Sequence, residues 1–176
     1  SALVTFTGGT GDFNLTAAVG ALQDTDDLTD LTGDLVTTVS GTLSDPSGTD
    51  TWSGIIHVTG DVLVPIGHTL NVAAGTLVFI DGNAIARSAD GIDIDVQGTI
   101  HSQGTEDRPV TFTAWQGELG MVWGEIHHDG AAASLYEYTN VTLAGHSPGG
   151  GHTGHGPVFR PVNSTITFDH VTISDN

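Results

Sequence analysis

The amino-acid sequence predicts an all-β chain coiled as a parallel solenoid, with an irregular cap at its N-terminal side. Three observations predict it. Glycine and threonine each occur 25 times in 176 residues, while lysine is absent and methionine occurs once. Such a composition favours strands and tight turns over helices. A short motif also returns along the chain: an apolar residue, one or two small residues, glycine, Thr or Asp, and a second apolar residue. Between its copies apolar and polar residues alternate, the period of a strand that turns one face to a core.

The copies run in order as "VSGTL" (Val39–Leu43), "VTGDV" (Val58–Val62), "VAAGTL" (Val72–Leu77) and "VQGTI" (Val96–Ile100). They flank the alternating segments "IIHV", "DVLV", "TLNV", "LVFI" and "IDIDV". In "GIDIDVQG" the inward set is Ile92, Ile94 and Val96, which leaves Asp93 and Asp95 outside. Glycine at such a corner permits a sharp bend with positive φ. A second repeat aligns "PVTFTA" (Pro109–Ala114), "NVTLAG" (Asn140–Gly145) and "HVTISD" (His170–Asp175) at steps of 31 and 30 residues. That alignment stacks Val110, Val141 and Val171 inside, with Phe112, Leu143 and Ile173 in a second inward column. Thr111, Thr142 and Thr172 form the outward column. A coil of this kind cannot bury its own apolar edge and needs a neighbour.

Residues 51–176 carry the pattern. Residues 1–50 fit it less well: "LVTFTG", "DFNLTAAV" and "LVTTVSGTL" read as strands, with the acidic run "DTDDLTDLTGD" among them. We read this part as an N-terminal cap or a first irregular coil, because a solenoid end exposes a core cross-section and unpaired strand edges. At the other end "HVTISDN" reads as the middle of a coil, so further chain or a covering partner is expected there.

The segments "TWSGIIHVTGDVLVPIGHTLNVAAGTLVFIDG", "DVQGTIHSQGTEDRPVTFTA", "VWGEI" and "NSTITFDHVTISDN" resemble the secreted right-handed parallel β-helix proteins of the pectin-lyase-like superfamily, over residues 51–176. The G-T-L, R-P-V-T-F-T and W-G-x-I elements are specific for that fold and for no activity. The resemblance implies a right-handed β-helix and, for polysaccharide lyases on the fold, a Lys or Arg base beside calcium held by carboxylates. This chain has no lysine, and its arginines are Arg87, Arg108 and Arg160. Arg108, in the "EDRPVTF" corner, is read as structural. Glycosidases need paired carboxylates; Asp93 with Asp95, and Glu125 with Asp129, are the candidates, at a spacing common without chemistry. No G-x-S-x-G motif occurs. The expectation is therefore a protein without enzymatic activity, with a polysaccharide lyase or hydrolase as the alternative.

Charge narrows the partners. Twenty-one acidic residues against three arginines give a formal charge of −18, which repels nucleic acid and anionic lipid. An acidic surface without lysine suits a saline or calcium-rich exterior, or plain solubility. The absence of cysteine removes disulfides, thiolate metal sites and a cysteine nucleophile. No run of 18 apolar residues offers a membrane-spanning helix. The start at Ser1 without a charged-then-apolar leader leads us to expect a mature secreted chain, extracellular or at the cell surface, with the periplasm as a further possibility.

Four groups of residues are candidate sites, each with a plain structural reading beside it. "GHSPGGGHTGHGP" (Gly145–Pro157) concentrates His146, His152 and His155. With His127 or His128 of "EIHHDG" they could offer imidazoles to zinc or copper; otherwise they form a solvated corner insertion. Asp24, Asp26, Asp27, Asp30 and Asp34 resemble a calcium cluster in composition. The EF-hand spacing fails, with Leu28 and Thr29 at the fifth and sixth positions and no closing glutamate, which leaves a solvated acidic turn as the rival. Trp52, Trp115, Trp123, Tyr136 and Tyr138 could stack on sugars or fill wide coils. Trp123, which alternates with Val122, is expected outward beside Glu125, and this pair is the candidate glycan contact. Asn14, Asn140 and Asn163 head sequons.

The leading expectation is a secreted structural or binding module, a subunit of an extracellular or cell-surface assembly, joined to a protein partner or to further copies of itself. A carbohydrate-binding or polysaccharide-degrading protein and a His-loop metal-binding surface protein are the alternatives.

Overall fold

Every described element is a strand. The computed structural model describes residues 5–9, 12–19, 22–24, 36–82, 84–85, 91–115, 121–145 and 157–176, and no helix occurs among them. The chain divides into two units, Ser1–Val36 and Thr37–Asn176. In the first, β1 (Thr5–Gly9), β2 (Asp12–Val19) and β3 (Leu22–Asp24) form an antiparallel three-stranded sheet in the order β1-β2-β3.

The second unit begins with β4 (Val36–Thr42), β5 (Thr49–Trp52), β6 (Ile55–Val64), β7 (Thr69–Val72) and β8 (Leu77–Asp81). There follow β9 (Ala84–Ile85), β10 (Ile94–Val96), β11 (Thr99–Gln103), β12 (Val110–Trp115) and β13 (Met121–Val122). The last are β14 (Ile126–Asp129), β15 (Ser134–Thr142), β16 (Phe159–Val162) and β17 (Ile166–Ser174). Twelve of these strands make one mostly parallel sheet that does not close, and β9 pairs with β13 in a separate antiparallel pair. β4, within residues 1–50, and β5, which begins there, therefore belong to this sheet.

The register sorts the strands into three ladders. In the first, Trp52, Val72, Ser102, Tyr136 and Phe168 stand one above the next, in β5, β7, β11, β15 and β17. In the second, Ile56, Val78, Phe112, Val141 and Ile173 do so, in β6, β8, β12, β15 and β17. In the third, Val62, Ile94, Ile126 and Phe159 stack, in β6, β10, β14 and β16. The chain visits the ladders in the same order at each pass, and one pass is a rung. β6 serves the second and third ladders with one continuous strand; β15 and β17 each serve the first and second.

Alternation along each strand sends every second side chain into the core. Ile56, Val58, Val62, Val64, Leu70, Val72, Val78, Ile80, Ile94, Val96, Ile100, Phe112 and Ile126 are buried at 1 % exposure or less, and Ile92 at 6 %. The inward set Ile92, Ile94 and Val96 stands as the sequence predicts. The motif copies, however, occupy different corners. "VTGDV" carries the chain from the second ladder to the third, "VAAGTL" from the first to the second, and "VQGTI" from the third to the first. At the corner inside β15 and β17, Tyr138 (φ 42°) and His170 (φ 55°) hold the left-handed conformation and stack their rings at 4.4 Å and 8°.

The second repeat is corrected by two residues. Val141 stands beside Phe112 and Ile173, while Val110 and Val171 share a column with Thr139. A slip of two keeps a side chain on its face, so Val110, Phe112, Val141, Val171 and Ile173 stay in inward columns while the partners change; Leu143 lies past β15 with φ 58° and is only half-buried. The inward place taken by Thr139 is satisfied internally. Its hydroxyl donates to the Glu137 carbonyl at 3.0 Å and meets the Ser102 hydroxyl at 2.7 Å.

Candidate functional site

The third ladder gathers the polar chemistry of the second unit. Asp61, Asp93 and Glu125 stand one residue before Val62, Ile94 and Ile126, at intervals of 32 residues. The Asp93 amide donates to Asp61 Oδ1 at 3.0 Å, and the Glu125 amide donates to Asp93 Oδ1 at 2.8 Å. Each aspartate thus satisfies a backbone donor one rung on. A side chain at Gly124 would run into the Asp93 carboxylate, which is why glycine stands there. Burial pushes the Asp93 carboxyl up to about 7. The Glu125 amide acts in the opposite sense, and the charges of Glu125, Asp61 and Asp95 add to the upward push.

Glu125 is fully buried. Its Oε1 accepts from Nε and Nη2 of Arg160, both at 2.5 Å, while Oε2 has no hydrogen-bond partner among the described residues. The next outward column holds Leu63, Asp95, His127 and Arg160, and His127 Nδ1 lies 3.0 Å from Asp95 Oδ1. The arrangement binds rung to rung: carboxylate to amide, carboxylate to guanidinium, carboxylate to imidazole.

His127 and His128 face opposite ways, as neighbours on a strand must. His128 is buried with Nε2 3.0 Å from the Tyr136 hydroxyl. Burial, with His127 adding, brings His128 down to about 4. Burial pushes the Tyr136 phenol well above its ordinary range. Among the described residues no group of three or more His, Asp or Glu is placed to hold a metal ion. His146, His152, His155, Asp26, Asp27, Asp30 and Asp34 lie outside the described residues; Asp24 closes β3 and Asn14 lies in β2. Asn140 stands in the outward column between Thr111 and Thr172, and exposed Asn163 (φ 48°) takes a left-handed corner.

Trp123 differs from its expected orientation. The indole is fully buried and its Nε1 donates to the Thr142 carbonyl at 2.9 Å. It lies just outside β13, where the alternation with Val122 no longer governs direction, and a ring of that size takes the enclosed side. Trp52 and Tyr136 are buried as well. The outward aromatics are Trp115 and Phe79 on the second ladder. Trp115 stacks on His57 at 4.3 Å and meets Phe79 edge-on at 5.3 Å, and His57 Nε2 holds Asp81 Oδ1 at 2.7 Å.

The terminal rung, β16 and β17, is built differently from those before it. Phe168 and Ile173 continue the inward columns yet are each 47 % exposed. Phe168 and Phe159 pack at 4.9 Å, over Tyr136 at 5.7 and 4.9 Å. A groove of about 480 Å³ opens between Phe159, Pro161, Ser164, Thr165, Ile166 and Phe168. Among the described strands β17 pairs only with β15, and β16 only with β14. A free strand edge beside an apolar column is the surface that strand addition uses.

Sequence reasoning did not single out Asp61, Arg160, His57 or Asp81. The interval of 32 residues linking Asp61, Asp93 and Glu125 is a signal that finds the first of these. Comparison with family models, curated proteins and solved structures gives no match.

Proposed function

We propose that the chain is a right-handed parallel β-helix that serves as a secreted structural or binding module, a subunit of an extracellular or cell-surface assembly. The fixed order in which the chain visits three parallel ladders supports the coil, and the pectin-lyase-like resemblance of residues 51–176 supports its hand. The acidic, lysine-free composition, at −18 formal charge, supports an exterior location.

One observation carries the function. The inward columns are sealed until the last rung, where Phe168 and Ile173 stand 47 % exposed beside strand edges that are unpaired among the described residues. In a stack whose units bury one another's faces, such a rung calls for a cover, supplied by further rungs of the same protein or by a partner. The polar column is taken up in joining rung to rung, with Glu125 Oε2 left without a partner among the described residues.

Hydrogen exchange tests this reading. In dilute solution the amides on the open side of β17 should exchange much faster than those of β15, and should gain protection when the protein assembles. If β17 is as protected as β15 in a dilute single chain, the rung needs no cover and the reading fails.

A further inference from the structure

We propose that the protein is built for a saline medium. Mobile monovalent cations supply the counter-charge of carboxylates stacked along its rungs, so the coil gains stability from salt well above the concentration that screens scattered surface charge. The inference does not rest on what covers the last rung.

An acidic, lysine-free composition admits a saline exterior, a calcium-rich one, or plain solubility. The register of the ladders favours the first. Asp61, Asp93 and Glu125 each stand one residue before paired positions in β6, β10 and β14. They follow one another at the spacing of neighbouring strands, about 4.8 Å. Asp95 lies two residues beyond Asp93 on the same outward face, roughly 6.6 Å along the strand. These charges act on one another: beyond the effect of burial, Glu125, Asp61 and Asp95 each push the Asp93 carboxyl upward. On the first ladder Glu137 of β15 stands directly beside Asp169 of β17. Like charges placed opposite one another on adjacent strands repel.

The protein's own permanent charges answer only the buried member of the column. Fully buried Glu125 is met by Arg160 at Oε1, and its Oε2 has no partner among the described residues. The other ion pairs among the described residues join aspartates to histidines, at His57, His68, His127 and His170. An imidazole carries charge only when protonated. Asp61 is exposed and the Asp95 side chain is 42 % exposed. Their charge is left to the solvent, where salt reaches it.

Distance sets how much salt the column needs. Mobile ions screen over a length of about 8 Å at about 0.15 M and about 3 Å at about 1 M. Charges roughly 10 Å or more apart are thus largely screened at the lower concentration. Carboxylates about 4.8 Å apart lie inside the longer length and outside the shorter one. Repulsion within the column therefore persists at the lower concentration and fades only towards the higher. With −18 formal charges on the chain, self-repulsion of the whole compact state acts in the same direction.

Urea unfolding of the full chain tests the proposal, since urea is uncharged. The measurement is made at about pH 8, above the value of about 7 to which Asp93 is raised, in NaCl at about 0.05, 0.15 and 1 M. The urea midpoint should rise at each step, by about 0.5 M or more over the last one. A second chain carries Asp61→Asn with Asp95→Asn. It keeps an oxygen acceptor for the Asp93 amide and for His127 Nδ1 while losing two charges. That variant should have the higher midpoint at low salt and should gain clearly less over the last step. Salting-out of apolar surface acts on both chains alike and cancels in the comparison.

A midpoint that stays flat over the last step overturns the proposal. So does an equal gain in the two chains, which would assign the effect to salting-out. A third overturning result is about 5 mM CaCl2 matching about 1 M NaCl, since that would mean a specific divalent site rather than a medium. None of these outcomes touches the terminal rung, which hydrogen exchange of β17 tests separately.

Discussion

Phe112 and Ile173 stand in the same column of the same ladder, and share almost nothing in their surroundings. Phe112 lies in β12 with β8 on one side and β15 on the other, and is fully buried; among the described strands Ile173 has β15 on one side only, and it is 47 % exposed. The difference is not one of pattern, since both are apolar residues on the inward face. In a stack each rung is sealed by the one that follows, so burial belongs to position in the stack as much as to sequence.

The largest test of that contrast is a pair of truncations. Phe112→Ala should cost about 3–5 kcal/mol in denaturant unfolding, through lost transfer energy and the cavity left behind. A loss under about 1 kcal/mol would mean that the interior rung is no better sealed than the terminal one.

The polar column ranks next. Glu125 is buried against Arg160 at 2.5 Å. Glu125→Gln removes one charge of the pair and should destabilise by about 2 kcal/mol, less than a fully enclosed pair because Arg160 keeps some solvent. An unchanged denaturation midpoint would show that the link between β14 and β16 contributes nothing.

Two groups within the interior rungs titrate in opposite senses. Asp93 keeps its proton up to about pH 7 when folded but loses it near 3.8 when unfolded. Its contribution is thus present at low pH and lost as pH rises through that window. His128 is held at about 4 when folded against 6.5 unfolded, so its contribution is present above 6.5 and lost as pH falls towards 4. Between those limits the two slopes oppose each other. Asp93→Asn keeps an oxygen acceptor for the Glu125 amide and should raise the melting temperature near neutral pH and above, with no gain at about pH 3.5. It should also steepen the acid decline that His128 causes, and His128→Phe should flatten that decline. Melting curves for the two variants that do not part in this way would remove the account of both groups.

The smallest effect belongs to the terminal rung. Ile173→Ala in a dilute single chain should cost about 1 kcal/mol or less. A cost near that of Phe112→Ala would mean that something already covers β17.

Much of this architecture was legible in short segments. Alternation placed Ile92, Ile94 and Val96 inside, and composition excluded helices from the described residues. Alignment by eye failed where it relied on motif likeness: "NVTLAG" matches "PVTFTA" in letters, yet the ladder pairs Val141 with Phe112. Trp123 failed for a related reason, as strand parity was carried past the end of β13. The acidic column was legible and went unused, because the interval of 32 residues shows only when the third ladder is followed by itself. Arg160 was not legible: its interval to Glu125 is 35 residues, and a guanidinium reaches diagonally across rungs.

The sequence by itself determined that the chain is built of strands and which side of each strand faces inward. Both follow from a period of two that neighbouring residues enforce without regard to the rest of the molecule. The tertiary structure decided which residues share a column and which of three corners each motif turns. Those depend on the number of residues each corner takes up and on what packs above and below, quantities that no single strand contains.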